Sequence, residues 1–173
     1  MGEDKRELAL QYFNKAYELQ KEGMELQMQN MQGWHKKFQE AIELYKKSIA
    51  TYPTAEAHTF LGWTYSFMER YDEAIDECLK AIQVDPDFGN PYNDIGAYLI
   101  EKGQLDEAIT WLEKAIYASR YETRCYPHMN LGRIWERKWE WQKAIKEYKE
   151  ALREEPNYIV ARKALRRLQG LLN

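Results

Sequence analysis

The chain has 173 residues, enough for about one domain, and its 25 basic and 28 acidic side chains leave a net charge of −3. A charge so close to balance does not by itself indicate a nucleic-acid or membrane partner. Strong helix formers dominate, and only nine glycines and five prolines interrupt them. The composition therefore argues against a β fold and favours an all-α protein.

Targeting and redox signals are absent from the sequence. No stretch approaches the roughly 18 consecutive apolar residues of a membrane span, and the first ten residues are charged throughout, unlike a secretory signal. Cys78 and Cys125 are the only cysteines, and two cysteines in a chain of this length do not indicate a disulfide framework. We therefore expect a cytoplasmic protein with no membrane partner.

Residues 4–54 form the irregular part of the pattern. Residues 4–32 predict one long helix, whose front part pairs with a second helix over residues 38–50 and whose end extends beyond it. Because methionine is common on surfaces that accept varied partners, the methionine face of this extension either contacts another chain or packs onto the second helix. That face carries Tyr17, Met24, Met28 and Met31.

Residues 55–88 form the clearest unit, with two helices that each show an apolar stripe at helical period. Gly62 lies on the first helix where a side chain would separate it from the second, and Ala74 is the small residue that faces it. Pro86 ends the second helix. One such pair cannot cover both stripes, so the pattern predicts stacking against neighbouring pairs.

The same pattern recurs over residues 89–122 and 125–158, with two extra residues between them. Residues 159–173 then form an amphipathic helix that caps the last apolar stripe and turns its charged side to water. The facing small residues are Gly96 and Ala108 in the first of these units, and Gly132 and Ala144 in the second.

These three units resemble tetratricopeptide repeats, and residues 4–54 resemble an imperfect fourth with an extended first helix. The resemblance implies that residues 1–173 form a single domain, a right-handed α-solenoid of stacked antiparallel helix pairs with a C-terminal capping helix. It also implies a concave side, lined mainly by the first helices, that commonly holds an extended peptide or a partner's helix. Because the matched residues are packing residues, the resemblance is specific for fold and not for the partner.

The register of the packing residues implies which side chains line the concave side. Trp63 and Phe67 are the strongest candidates, because aromatic side chains concentrate binding energy at interfaces. Alternatively, both pack beneath the long N-terminal helix. The predicted partner-binding residues are Thr59, Trp63, Phe67, Asn93, Ala97, Met129, Arg133 and Arg137.

Some members of the family bind the C-terminal carboxylate of heat-shock chaperones through lysine, asparagine and arginine side chains at fixed places. Here those places hold Thr59, Trp63, Asp94, Tyr126 and Asn130. The usual clamp is therefore not expected, and Asp94 would repel a carboxylate. Arg133 and Arg137 remain able to meet an acidic partner.

Catalysis has no support in the sequence, and we predict no catalytic, cofactor-binding or metal-binding residue. His35, His58 and His128 are scattered, and two of them, His58 and His128, take the place of a large packing residue. No HExxH, paired CxxC, glycine-rich phosphate loop or Gly-x-Ser-x-Gly occurs. We therefore expect a non-enzymatic scaffold that binds a protein or peptide.

The uneven charge keeps two alternatives open. Residues 1–123 carry 13 basic and 22 acidic groups, whereas residues 124–173 carry 12 and 6. The acidic front of one copy can meet the basic end of another, or the methionine face can form a homodimer. Nucleic-acid binding is less favoured, because six acids dilute the basic end in which Trp135, Trp139 and Trp141 alternate with basic residues.

Overall fold

The computed structural model describes residues 2–172, and within that range the chain forms nine α-helices. The helices group into two compact units, α1–α4 ending at Pro86 and α5–α9 beginning at Asp87. Within each unit, helices joined by short connections contact each other as antiparallel pairs. The bounds are α1 Gly2–Met28, α2 Trp34–Thr51, α3 Ala55–Phe67, α4 Tyr71–Val84, α5 Asn90–Glu101, α6 Leu105–Tyr117, α7 Cys125–Arg137, α8 Trp141–Glu154 and α9 Ile159–Leu171.

Three helix pairs close on a glycine, as the sequence predicts. Gly62, Gly96 and Gly132 all face the second helix of their own pair, so a Cβ at any of them would overlap a neighbouring atom. The nearest atoms to such a Cβ are Ala74 O at 2.9 Å from Gly62, Leu112 Cγ at 2.5 Å from Gly96 and Tyr148 Cε1 at 2.3 Å from Gly132. Ala74 thus faces Gly62 as predicted, whereas Gly96 and Gly132 lie closest to the large side chains of Leu112 and Tyr148 instead of Ala108 and Ala144. In all three pairs the glycine is the residue that lets the second helix approach.

Helix α1 ends at Met28, four residues earlier than the sequence predicts. Asn30 takes a left-handed conformation with φ 53°, and the N–H of Met31 donates to the carbonyl of Leu26 at 2.8 Å. This hydrogen bond is typical of a helix that ends on a left-handed residue, and asparagine tolerates that conformation better than most residues. Gly33, with φ 98°, is the N-cap residue that precedes α2.

Helix α1 packs on α2 through small residues spaced seven apart. Ala9, Ala16 and Gly23 are all buried. The hydroxyl of Ser48 donates to the carbonyl of Ala9 at 2.8 Å, and a Cβ at Gly23 would lie 2.7 Å from the ring of Phe38. The contact thus runs almost the whole length of α1, and the end of that helix also packs on α2.

The predicted methionine face is interrupted, because Met31 lies in the turn after α1 and not on the helix, and its exposed part stays largely open. Met28 is 85% exposed and Met31 51% exposed, while Met24 is partly buried. Packing onto α2, one of the two interpretations of this face, therefore does not cover it.

The junction between α6 and α7 absorbs the two extra residues. Arg124 donates to the carbonyls of Ile116 and Ala118, both at 3.0 Å, and so satisfies acceptors at the end of α6. The N–H of Gly89 donates to the carbonyl of Arg120 at 3.1 Å, which ties the junction to the start of the unit. These bonds hold an irregular segment in place without strand or helix.

The pairs α3–α4, α5–α6 and α7–α8 share a contact at an equivalent position, which is polar in two of them and aromatic in the third. A first-helix residue and a second-helix residue meet there as a histidine and a glutamate in two pairs and as two aromatic rings in the pair between them. The contacts are His58 Nδ1 to Glu77 Oε2 at 2.7 Å, His128 Nδ1 to Glu147 Oε2 at 2.7 Å, and the rings of Tyr92 and Trp111 with centroids 6.0 Å apart. The two histidines therefore occupy packing places, as expected.

We expect Gly132→Ala to lower the free energy of unfolding by about 1–3 kcal/mol. The added Cβ would overlap the buried ring of Tyr148, whose hydroxyl also donates to Glu136 and so resists displacement. Gly170→Ala is the control, because nothing lies within 4 Å of the added Cβ; there we expect a gain of up to about 1 kcal/mol. Urea unfolding followed by circular dichroism measures both, and equal effects would contradict the tight contact.

Candidate functional site

An open groove of about 460 Å³ lies among α7, α8 and α9 in the second unit. Its lining carries three arginines against one glutamate, so the groove favours a ligand with carboxylates. We call it the arginine groove. It is lined by Met129, Asn130, Arg133, Glu136, Arg137, Tyr148, Tyr158, Val160, Ala164 and Arg167.

Two of these arginines lie one turn apart on α7. Because Gly132 faces α8, Arg133 and Arg137 lie on another side of the helix. Arg133 donates to Asn130 Oδ1 at 3.3 Å and to Glu101 Oε1 at 3.0 Å, whereas Arg137 donates to the carbonyl of Ile100 at 2.8 Å. These bonds orient both guanidinium groups relative to α5.

A chain of amides continues this network onto α5. Asn130 Nδ2 donates to Asn93 Oδ1 at 3.1 Å, and Asn93 Nδ2 donates to Asp94 Oδ1 at 3.3 Å. Burial raises the pKa of Asp94 to about 7, against the smaller opposing effect of the Asn93 hydrogen bond. Near neutral pH, Asp94 is thus partly protonated and repels a carboxylate less than its sequence position suggests.

Helix α9 contributes the third arginine. Arg167 Nη2 donates to both carboxylate oxygens of Glu136, at 2.7 and 2.6 Å, which ties α9 to α7. The sequence predicts that the charged side of the capping helix, on which Arg167 lies, faces water, and it does not predict this contact with α7. The spacing of Val160, Ala164 and Arg167, four and then three residues apart, marks one helix face and is the signal that could have revealed it.

Three of the predicted partner-binding residues, Thr59, Trp63 and Phe67, lie on α3 in the first unit. Thr59 is only 5% exposed, and its hydroxyl donates to a carbonyl of its own helix at 2.7 Å. Phe67 stacks on Phe38 with centroids 5.4 Å apart, and its carbonyl accepts from Gln27 Nε2 at 3.2 Å. Trp63 remains 38% exposed. The α1–α2 pair therefore covers Phe67, whereas Trp63 still presents surface.

The remaining predicted residues differ in their surroundings. Met129 is 8% exposed and belongs to a core cluster with Ala144 and Tyr148, so only its edge reaches the arginine groove. Ala97 is partly buried. Of the eight predicted residues, the structure joins Asn93 and Arg133 through Asn130 in one hydrogen-bonded network, and Arg137 lies one turn from Arg133 with its own bond to α5.

Neither a membrane-spanning helix nor a cluster of metal ligands occurs within residues 2–172. No helix in that range is both long and apolar enough to cross a lipid bilayer. No group of three or more histidine, cysteine, aspartate or glutamate side chains is arranged there to hold a metal ion.

Comparison with known families and proteins gives consistent matches. The family described as tetratricopeptide repeat is matched over residues 55–88, 77–110 and 125–158, together just over half of the chain. Small glutamine-rich tetratricopeptide repeat-containing protein 2 of Mycosarcoma maydis is 31% identical over 77 residues, which are 44% of this chain and 22% of that protein. The chain spans less than a quarter of the length of the curated relatives it matches.

Solved structures show the same fold. The structure of Pseudomonas aeruginosa PilF has a TM-score of 0.72 at 20% identity, covering 91% of this chain and 68% of that one. The first repeat domain of Spaghetti (RPAP3), bound to the HSP90 peptide SRMEEVD, has a TM-score of 0.63 at 23% identity, covering 69% and 95%. At these identities the likeness is one of fold alone.

The raised pKa of Asp94 predicts a pH-dependent stability. The folded protein holds this proton more tightly than the unfolded chain, in which aspartate titrates near 4. Its contribution to the free energy of unfolding is therefore fully present below about pH 4 and is lost as the pH rises through about 7. Urea unfolding at several pH values should show that the free energy of unfolding of Asp94→Asn increases relative to that of the wild type as the pH rises from about 4 to about 7. A difference that does not change with pH would contradict the assignment.

Proposed function

Because the chain belongs to the tetratricopeptide repeat family, we propose that it is a non-enzymatic scaffold that binds an acidic peptide segment of a partner protein in the arginine groove. The observation that carries the proposal is the excess of arginine at an open groove, where Arg133, Arg137 and Arg167 outnumber Glu136 in the lining and Glu101, which pairs with Arg133 at 3.0 Å. Arginine and carboxylate groups form the stronger, charge-assisted class of hydrogen bond.

The two arginines of α7 keep donors for a ligand. Each guanidinium has five N–H groups, of which Arg133 uses two and Arg137 one in the bonds described above. Their partners hold them in place, so less side-chain entropy is lost when a carboxylate binds. Arg167 donates to Glu136 and serves mainly to offset that glutamate's charge.

Apolar surface in the same groove suits the apolar side chains that lie between the acidic residues of a peptide ligand. Tyr158 and Val160 line the groove beside the edge of Met129. A ligand that alternates acidic and apolar residues would therefore match the lining. Trp63 of the first unit, which is 38% exposed, is proposed as a further partner contact.

A similar solved structure supports a ligand of this kind. The peptide in the RPAP3 structure, SRMEEVD, has three acids among its last four residues. The places of the usual carboxylate clamp hold other side chains in this chain, namely Thr59, Trp63, Asp94, Tyr126 and Asn130. We therefore propose recognition of internal acidic side chains without the need for a free C-terminus.

A peptide array tests this proposal on the intact protein. The array would present twelve-residue peptides that differ in acid content, each with a free or an amidated C-terminus. We expect binding to rise with acid content, to be indifferent to amidation and to weaken with added salt. Arg133→Ala combined with Arg137→Ala should reduce affinity about 10- to 100-fold, since each charge-assisted bond contributes about 1.5–3 kcal/mol before solvent screening.

The matched control removes equal charge elsewhere. Lys146→Ala combined with Lys149→Ala takes two positive charges from exposed positions on α8 outside the groove lining. We expect this double variant to bind the acidic peptides nearly as well as the wild type. Equal losses in both double variants would indicate a diffuse charge effect and overturn the proposed site. Binding of single-stranded oligonucleotides in preference to every peptide would overturn the proposed ligand.

A further inference from the structure

One turn recurs at the same place in three helix pairs and always has a left-handed backbone. The residues there are Glu69 with φ 58°, Gly103 with φ 78° and Trp139 with φ 61°. Glycine adopts this conformation freely, whereas a bulky side chain does so at a cost in folding free energy. Trp139 is therefore the least suited of the three to its own position.

Trp139 is also exposed where tryptophan is normally buried. It lies 76% exposed beside Trp141, with ring centroids 5.3 Å apart and planes at 85°. Neither its backbone conformation nor its exposure helps the fold. Strained residues and exposed aromatic patches both mark contact surfaces in folded proteins. The flanking side chains are mostly basic, namely Arg137, Lys138 and Lys143 against Glu140.

The first unit holds a cavity of the opposite character. A pocket of about 570 Å³ opens between the front of α1, the end of α2 and the start of α3. We call it the apolar pocket. It is lined by Arg6, Ala9, Leu10, Phe13, Ser48, Tyr52, Thr54, Glu56 and Phe60.

Polar groups in its wall are engaged by the protein itself. The hydroxyl of Ser48 donates to a backbone carbonyl at 2.8 Å, and that of Thr54 accepts from the N–H of Ala57 at 3.1 Å. The hydroxyl of Tyr52 accepts from Arg6 at 2.6 Å. The pocket is thus suited to an apolar or aromatic side chain.

We infer that Trp139 of one copy inserts into the apolar pocket of a second copy. The pocket of about 570 Å³ has room for a large apolar side chain, and Trp139, 76% exposed, presents one on a turn. The charges also match: residues 124–173 carry 12 basic and 6 acidic groups, whereas residues 1–86 carry 10 and 15. A buried tryptophan of this kind is a typical interface anchor.

Such a contact joins two different surfaces of the same chain. A chain of copies joined in this way has an unoccupied pocket at one end and an unbound Trp139 at the other. Further copies can therefore add to it, or the two ends can join to form a ring. This self-association is independent of the arginine groove and goes beyond the proposed peptide binding.

Sedimentation of the intact chain over a concentration series tests the inference. We expect the wild-type mass to rise with concentration and to fall back with added salt. Trp139→Ala removes the inserted side chain, and Leu10→Glu places a charge at the mouth of the pocket, where Leu10 is 56% exposed and the fold tolerates the change. Each variant alone should stay monomeric, with an unchanged circular dichroism spectrum.

Mixing the two variants gives the decisive result. The Trp139→Ala copy keeps its pocket and the Leu10→Glu copy keeps its tryptophan, so an equimolar mixture can form one contact and no more. We expect a one-to-one dimer that does not grow. Tyr117→Ala is the control for losing an exposed aromatic, since Tyr117 is 85% exposed, and it should associate like the wild type.

Three outcomes would overturn the inference. The first is a wild type that stays monomeric at every concentration, and the second is a mixture that remains monomeric although both variants are folded. The third is association that survives both variants and is lost on changing Met28→Gln and Met31→Gln, which would indicate a dimer through the methionine face.

Discussion

The contact of a glycine with the opposite helix governs the rest of this structure. Where Gly132 meets the ring of Tyr148, no Cβ fits between them, and the rotation of α7 about its axis is fixed. That rotation turns Arg133 and Arg137 away from the core. The same packing constraint that closes a helix pair therefore decides which side chains are available to a partner.

Sequence reasoning succeeded where the determinants are local and steric. The spacing of Gly62, Gly96 and Gly132 predicted three helix pairs because a small residue is needed wherever two helices meet closely. It gave the wrong end for α1 because the left-handed conformation of Asn30, which ends the helix, cannot be distinguished in the sequence from a helical asparagine. It missed the contact of Arg167 with Glu136 because that contact depends on how α9 is turned against α7.

The all-α solenoid fold expected from the sequence is confirmed by the family matches and the solved structures, but the surfaces carry more individual information. The arginine groove is rich in hydrogen-bond donors. The apolar pocket instead presents Leu10, Phe13 and Phe60, and its hydroxyl groups form hydrogen bonds within the protein. Trp139 breaks the local preference of its turn. Such departures from the repeat pattern concentrate where a protein meets other molecules.

The junction held by Arg124 has a consequence for the spacing of the helix pairs. The segment between α6 and α7 is two residues longer than the segment between α4 and α5, and Arg124 satisfies the acceptors at the end of α6. Gly132 nevertheless meets α8 as Gly62 meets α4. A junction of either length therefore serves the same kind of helix pair, because each pair is held by its own internal contacts.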